Sequence, residues 1–228
     1  MNILITGVSS GLGKSLMEGY IKAGHTVYGM SRKVVKECNH VSCDLGKLET
    51  IEVKLEELLK SVSNIDVVIL NAGMLGEIKL FQEWSLSELS DIMNLNVWSN
   101  KIIIDWLLGK KKIKQVVSIS SGASEHTYKG WSGYSLSKSA LRMMMDVYSK
   151  DANNGHFMSV APGLINTSMQ DYLCNKVDKE KFPIIDKFIN ARNNHLIDSP
   201  ETIACKLIKL IPKLREFENG SFVDMRKL

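Results

Sequence analysis

Short runs of apolar and β-branched residues recur along the chain and predict β-strands. Each run is too short for an ordinary helix and is bounded by Gly, Asn or Ser. Some runs, such as Val67–Leu70, are apolar at consecutive positions, which is typical of strands covered on both faces of a parallel sheet. The predicted strands are Asn2–Thr6, Thr26–Met30, Val41–Cys43, Asp66–Leu70, Gln115–Ser120, Phe157–Ala161 and Ser221–Asp224.

Longer stretches with helical periodicity separate most of these runs. Pro200 suits a first helical turn, and Ser199 is a suitable N-cap before it. Strands that alternate with helices predict right-handed crossovers in an α/β fold, a Rossmann-type doubly wound parallel sheet of about seven strands with helices on both faces. The predicted helices are Gly11–Ala23, Leu48–Val62, Leu86–Leu108, Ser132–Ala152 and Pro200–Leu214.

One segment, residues 166–198, interrupts this alternation. No repeat and no Pro/Gly-rich linker divides the chain, so we expect a single domain over residues 1–228. Insertions of this length in an open α/β sheet are often lids over the ligand crevice, and we expect an irregular lid here.

Composition excludes several classes of protein. With 44% apolar and 24% charged residues, the 228-residue chain is neither disordered nor membrane-embedded in character. The net charge of +4 arises from 29 basic and 25 acidic residues and does not indicate a nucleic-acid partner. The opening MNILITG lacks the features of a secretory signal, and the four cysteines have neither disulfide nor zinc spacing. We therefore expect a cytoplasmic protein with no membrane partner and no metal site.

A glycine-rich turn follows the first predicted strand and opens the first helix. Glycines at this junction allow a sharp turn and a close approach of the backbone to a diphosphate, while the free N–H groups of the new helix face its negative charge. The sequence therefore predicts a dinucleotide site. The residues expected to line it are Gly7, Ser9, Ser10, Gly11, Leu12 and Gly13.

A phosphate-binding P-loop is the competing interpretation, because Gly13-Lys14-Ser15 resembles the end of that motif. The motif also needs a glycine five positions before Gly13, where this chain has Val8. A P-loop phosphotransferase therefore remains only a minor alternative.

The residues after the second strand indicate which dinucleotide binds. An acidic residue there would bind the 2′-hydroxyl of NAD, whereas a basic residue accommodates the 2′-phosphate of NADP. This chain has Ser31-Arg32-Lys33, a hydroxyl and a guanidinium without a carboxylate. We predict NADP(H) as the cofactor, with Ser31 and Arg32 at the phosphate.

A tyrosine and a lysine lie one turn apart at the start of a predicted helix. The spacing Tyr134-x-x-x-Lys138 places the phenol and the ammonium on one helix face. The ammonium is expected to lower the pKa of the phenol, which then serves as general acid or base for carbonyl or alcohol chemistry. Ser121, thirteen residues earlier and just beyond the fifth strand, can hydrogen-bond a developing alkoxide.

A second copy of this spacing occurs at Tyr172 and Lys176, with Ser159 thirteen residues before the tyrosine. Tyr134 begins a long helical pattern, whereas Tyr172 lies in the segment that we expect to be irregular. We therefore assign the chemistry to Tyr134.

Taken together, these motifs resemble the short-chain dehydrogenase/reductase family. The resemblance spans about residues 2–167, with the motifs in the family's order. They are TGVSSGLG, the LNAG ending at Gly73, the Asn of Leu95-Asn96-Val97, ISS before YSLSK, and the loop Pro162–Thr167. The tail Asn219–Arg226 further resembles small carbonyl reductases of the sepiapterin and benzil reductase type.

The resemblance implies roles for individual residues. Tyr134 would be the catalytic acid/base, Lys138 would also bind the nicotinamide ribose, Ser121 would orient the carbonyl, and Asn96 would hold a water in a proton relay. It implies further cofactor contacts in three groups, at Asp44 and Leu45, at Asn71, Ala72 and Gly73, and at Pro162, Gly163, Ile165 and Thr167. For Asn96 the alternative is a kink residue, and for Thr167 it is a helix N-cap.

The expected reaction is hydride transfer between NADP(H) and a small, hydrophobic carbonyl or alcohol substrate. The expected substrate pocket comprises His126, Tyr128, Trp131, Met169 and Phe182, although ordinary packing explains each of them too. A catalytically idle dinucleotide-binding regulator is the alternative. The resemblance also implies a homodimer or homotetramer, for which the apolar positions within Leu86–Leu108 and Leu141–Val147 fit a subunit contact or an internal core equally well.

Overall fold

Seven parallel strands form one sheet in the computed structural model, which describes residues 1–228. The strand order is β3-β2-β1-β4-β5-β6-β7. The strands are β1 (Asn2–Thr6), β2 (Thr26–Ser31), β3 (Asn39–Ser42), β4 (Asn64–Leu70), β5 (Lys112–Ile119), β6 (His156–Ala161) and β7 (Phe222–Asp224). The predicted doubly wound α/β fold is therefore confirmed.

Eight α-helices connect and cover the strands. They are α1 (Gly11–Lys22), α2 (Ile51–Leu59), α3 (Leu86–Met93), α4 (Ser99–Lys110), α5 (Ser132–Asp151), α6 (Ser168–Lys176), α7 (Ile185–Asn193) and α8 (Pro200–Leu210). Ser199 caps α8 as predicted, because its hydroxyl accepts a hydrogen bond from the Thr202 N–H. No helix has the length and apolar composition that crossing a membrane requires.

The apolar residues of β1 explain why the sheet is buried on both faces. Ile3 and Ile5 point to the side that α1 and α8 cover, whereas Leu4 points to the opposite side, which α2 and α4 cover. All three side chains are fully buried. This alternation places one hydrophobic core on each side of the sheet.

The order in which strands are added to the sheet changes sides at β1: β2 and β3 lie on one side of it, and β4 to β7 lie on the other. Ile5 pairs with Gly29 of β2 on one side and with Ile69 of β4 on the other, and later strands extend the sheet beyond β4. In open parallel sheets, the crevice at the carboxyl ends of the strands beside such a switch point is the usual ligand site.

Two predicted elements differ from the structure. The predicted helix Leu86–Leu108 is divided by one π-helical turn at Asn94–Trp98. The segment expected to be irregular contains helices α6 and α7. Tyr172 therefore lies on a helix, and the expectation that it lies in an irregular segment was wrong.

Candidate functional site

A cavity of about 290 Å³ opens at the carboxyl ends of the central strands. Strand ends supply one side of its wall, and α6 and α7 supply the other. Its lining includes Ser121, Tyr134 and Lys138, so the structure brings the three predicted catalytic residues together. Residues 162–165 and Thr167, which follow β6, line it as well.

Ser121 lies beside Tyr134 in this wall, close enough for its hydroxyl to act on the phenol. Ser121 precedes a short 3₁₀ turn, and its hydroxyl oxygen accepts a hydrogen bond from the Ala123 N–H at 3.1 Å. Because that contact uses an acceptor site on the oxygen, the hydroxyl hydrogen remains available to a partner in the cavity.

Lys138 is buried one turn further along α5. Its Nζ atom donates to the Ile119 carbonyl at 2.9 Å and lies 5.7 Å from the centroid of the Tyr134 ring. Burial lowers the pKa of Lys138 to about 8, so the ammonium is the major form at neutral pH.

The pKa of Tyr134 does not follow the prediction. Burial raises it to about 12, and the hydrogen bond with Ser121 opposes only part of that effect. The expected lowering by Lys138 was therefore wrong: exclusion of water from the phenol outweighs the nearby ammonium. The phenol is consequently protonated at neutral pH.

Asn96 lies in the π-helical turn and is fully buried. Its side-chain oxygen accepts from the Met74 N–H at 2.8 Å, and its Nδ2 donates to the Met74 carbonyl and to Ser137 Oγ at 2.8 and 2.9 Å. Asn96 thus lies at a helix irregularity, and its predicted role of holding a water stays a prediction. Its side chain does not line the cavity.

The glycine turn packs as a dinucleotide site requires. Gly7 and Gly11 adopt positive φ angles of 77° and 52°. A Cβ on Gly13 would lie 2.2 Å from the Gly7 carbonyl oxygen, so only glycine lets α1 begin this close to β1. The first turn of α1 contains no acidic residue, and Ser9 and Ser10 precede it. This backbone fits a bound diphosphate.

Neighbouring segments extend the same crevice. Thr6 Oγ1 accepts hydrogen bonds from the N–H groups of Asn71 and Ala72, which joins the ends of β1 and β4. Thr167 lies against Gly11, and its hydroxyl makes no N-cap bond in α6. Leu12, Asn71 and Gly73 line the cavity, so the turn is continuous with the site around Tyr134.

Gly73 lies between Asn96 and Lys138. A Cβ there would come within 3.2 Å of the Asn96 side-chain oxygen and 3.5 Å of Lys138 Nζ. A side chain would therefore press on both groups, and glycine keeps the space above Lys138 open. Together with Pro162, Gly163 and Ile165 opposite, this opening fits a flat ring such as nicotinamide.

The end of β2 carries the basic residues predicted to select the cofactor. Arg32 is exposed and forms no ion pair with a carboxylate. Ser31 differs from expectation: its buried hydroxyl donates to the Lys33 carbonyl at 2.9 Å and lies 2.9 Å from His40 Nε2. Ser31 therefore shapes the turn that presents Arg32, and the supporting His40 was not predicted.

The third strand ends at the same edge of the sheet. Asp44 is exposed after β3, and its carboxylate accepts from the Gly46 N–H at 3.1 Å. Leu45 is buried in the core. Of the predicted pair, only the Asp44 side chain is therefore accessible, and Leu45 packs inside.

The predicted substrate residues fall into two groups. His126, Tyr128, Trp131 and Met169 line the cavity, but Phe182 does not. Phe182 packs against Gly130 instead, where an added Cβ would meet its ring at 2.6 Å. Phe188, stacked on Trp131 at 5.3 Å, occupies the wall position expected of Phe182.

Arg226 is a lining residue that the sequence did not reveal. A usable signal existed: in a parallel sheet, residues that follow the last strand emerge at the same edge as the site.

The competing Tyr172 does not line this cavity, and Ser159 is buried in β6, where it hydrogen-bonds with Ser118. No cluster of three or more metal-binding side chains occurs.

The chain is similar in sequence to known reductases. Residues 1–178 match the family model described as short chain dehydrogenase. The chain is 32% identical to the benzil reductase ((S)-benzoin forming) of Bacillus subtilis, covering 98% of both chains. It is 26% identical to an NADPH-dependent pterin aldehyde reductase of Arabidopsis thaliana, covering 96% of this chain and 90% of that one.

A solved structure shares the fold. The short-chain dehydrogenase/reductase from Saccharomyces cerevisiae superposes with a TM-score of 0.88 at 22% identity, covering 98% of this chain and 95% of that one. At this identity the likeness supports the fold alone.

Proposed function

The chain belongs to the short-chain dehydrogenase/reductase family, and from that premise we propose that it is an NADPH-dependent reductase of small carbonyl compounds. The observation that carries the proposal is the single cavity wall that holds Ser121, Tyr134 and Lys138 beside the glycine turn. The benzil reductase and pterin aldehyde reductase relatives support a carbonyl substrate.

Tyr134 is proposed as the proton donor. Its phenol is protonated at neutral pH because its pKa is raised to about 12, which is the form that an acid needs. When a substrate binds, Ser121, which lies beside Tyr134, turns its one hydroxyl hydrogen to the substrate carbonyl oxygen and holds that oxygen beside the phenol. A reduced nicotinamide, when bound, supplies the hydride.

Lys138 is proposed to act as the phenol loses its proton. Its ammonium lies next to the Tyr134 ring in a site that excludes water, where a charge interaction is stronger than in solution. Lys138 therefore stabilises the phenolate as it forms, although burial keeps the net pKa of the resting phenol above its usual value.

The preference for NADPH is proposed from Arg32. Its guanidinium is exposed, unpaired with any carboxylate and held at the end of β2, where a 2′-phosphate would lie. Ser42 supports this turn by donating its hydroxyl hydrogen to the Arg32 carbonyl at 2.8 Å. Asp44 and the glycine turn complete the proposed dinucleotide site.

We also propose that residues 1–228 act as one catalytic domain with residues 166–198 as a lid. Met169, Leu173 and Phe188, from α6 and α7, cover the cavity opposite Tyr134. These apolar side chains exclude water from the reacting atoms.

A homodimer or homotetramer is proposed on the exposed apolar residues of α5. Predicted contact positions Val97, Ile104 and Leu141 are buried in the core, but Met143 and Val147 are 61% and 47% exposed. Light scattering should give at least twice the 25.6 kDa chain mass, and Met143→Lys should reduce it. A monomer for the unaltered chain would refute this assembly.

Turnover measurements test the proposed function. A panel of 1,2-diketones, quinones and aldehydes should include a compound whose reduction consumes NADPH at least 10 times more efficiently than NADH, judged by kcat/KM. Loss of absorbance at the nicotinamide band reports the reaction. Tight NADPH binding without turnover of any compound would instead support the idle regulator.

A further inference from the structure

The C-terminal tail places a cation at the cavity that the proposed reaction does not use. Arg226 follows β7 and lines the cavity. Its aliphatic stem lies against Gly163, because a Cβ added to that glycine would be 3.4 Å from both Cγ and Cδ of Arg226. Its guanidinium lies near Gly122, because a Cβ added there would be 3.3 Å from Arg226 Nη2. Because Gly122 directly follows Ser121, the guanidinium lies within about 9 Å of the Ser121 Cα.

Asp224 fixes the orientation of this guanidinium. Its carboxylate accepts from Arg226 Nε at 2.9 Å and from Nη2 at 2.5 Å, and also from the Arg226 backbone N–H at 3.0 Å. The Asp224 side chain is 4% exposed, whereas that of Arg226 is 57% exposed. The pair uses two of the five guanidinium N–H groups and leaves three for a ligand.

The charge of the wall favours an anion. Its lining contains no Asp or Glu, but it contains Lys138, Lys187 and Arg226. Asp224 balances the charge of Arg226, whereas Lys187 forms no ion pair with a carboxylate. The cavity therefore combines a fixed fork of donors, uncompensated positive charge and an aromatic wall.

We propose that the substrate is an apolar or aromatic oxo acid whose carboxylate binds the free N–H groups of Arg226. This proposal rests on the proposed reductase activity. The ring would lie against Trp131 and Phe188, and the ketone oxygen would face Ser121 and Tyr134. The ketone carbon accepts the hydride of NADPH and its oxygen accepts the Tyr134 proton, which solvent replaces. The products are a hydroxy acid and NADP⁺, and the carboxylate is unchanged.

Two probe substrates isolate the contribution of the carboxylate to kcat/KM. Phenylglyoxylate and 1-phenyl-1,2-propanedione share a phenyl ketone, but only the first carries a charge. In Arg226→Gln, kcat/KM for phenylglyoxylate should fall about 30-fold, mainly through KM, while that for the diketone should change by less than about 3-fold. Arg226→Lys should recover part of the loss.

Lys187→Gln is the companion variant, because Lys187 is exposed and its loss leaves no buried partner behind. This variant should lower kcat/KM for phenylglyoxylate about 5-fold and leave kcat/KM for the diketone unchanged. Calorimetric titration of the NADP⁺-loaded protein with phenylglyoxylate should show the same order, with the unaltered protein binding tightest.

Equal losses on both probes, or no binding of phenylglyoxylate by the unaltered protein, would overturn the carboxylate site. If the diketone is reduced with NADPH in either case, the proposed reductase activity stands and only this inference fails. If neither probe nor any compound of the carbonyl panel is reduced, the proposed function fails and this inference falls with it.

Discussion

Replacing Gly13 by alanine tests the contact between the glycine turn and the rest of the site. The added Cβ would lie 2.2 Å from the Gly7 carbonyl oxygen and 2.4 Å from Asn71 Nδ2. Ordinary carbon contacts lie at about 3.5 Å, so the turn must move by about 1 Å. The Gly7 oxygen belongs to the backbone and cannot rotate away as a side chain would.

This displacement has a predictable size. Overpacking of this kind costs about 1–3 kcal/mol of stability, and each kcal/mol lowers Tm by about 2–4 °C in a chain of this length. Misplacing the N–H groups at the start of α1 by about 1 Å should weaken NADPH binding about 100-fold. Thermal unfolding and titration of NADPH fluorescence measure the two effects.

Gly109→Ala is the matched control. Gly109 lies in the last turn of α4, and nothing occurs within 4 Å of an added Cβ. This change should raise stability by about 0.5–1 kcal/mol and leave NADPH affinity unaltered. A Gly13→Ala protein with unchanged Tm and unchanged NADPH affinity would refute the packing argument.

Other substitutions give further tests. The kcat/KM for carbonyl reduction should fall as pH rises through about 8, where Lys138 loses its charge, and Lys138→Arg should move the fall to higher pH; a profile flat to pH 10 would contradict the role of the ammonium. In fluorescence titrations, Arg32→Ala should weaken the binding of NADPH about 10-fold but leave the binding of NADH unchanged. An equal loss of affinity for both cofactors would argue against a phosphate contact. Asn96→Ala should lower the free energy of unfolding in urea by about 2–4 kcal/mol, because the N–H and C=O of Met74 lose their partners; a change under about 1 kcal/mol would show that they find others.

The strands and their order of appearance could be predicted because local pattern decides them. Consecutive apolar residues in β4 indicated a sheet buried on both faces, and the alternation with helices indicated parallel pairing. The π-helical turn at Asn96 could not be predicted, since it depends on hydrogen bonds to Met74, twenty-two residues away. Helices α6 and α7 were missed because each is only nine residues long and polar on average, so a short apolar face is hard to distinguish from a loop.

The features of the site were likewise predictable only in part. Ser121, Tyr134 and Lys138 were predicted together because strand ends and helix starts of a parallel sheet meet at one edge. The direction of the Tyr134 pKa shift was not predictable, because it depends on how completely the folded chain excludes water from the phenol. Likewise, the position of Arg226 depends on Gly122 and Gly163, which approach it only in the folded protein.

The most direct test of the account compares Tyr134→Phe with Tyr172→Phe in single-turnover oxidation of NADPH by a carbonyl substrate. Tyr134→Phe should lower the rate at least about 1000-fold while NADPH affinity stays within about 3-fold, because only the proton donor is lost. Tyr172→Phe should retain the original rate. A Tyr134→Phe protein that reduces the carbonyl at the original rate, or a large loss confined to Tyr172→Phe, would contradict the assignment.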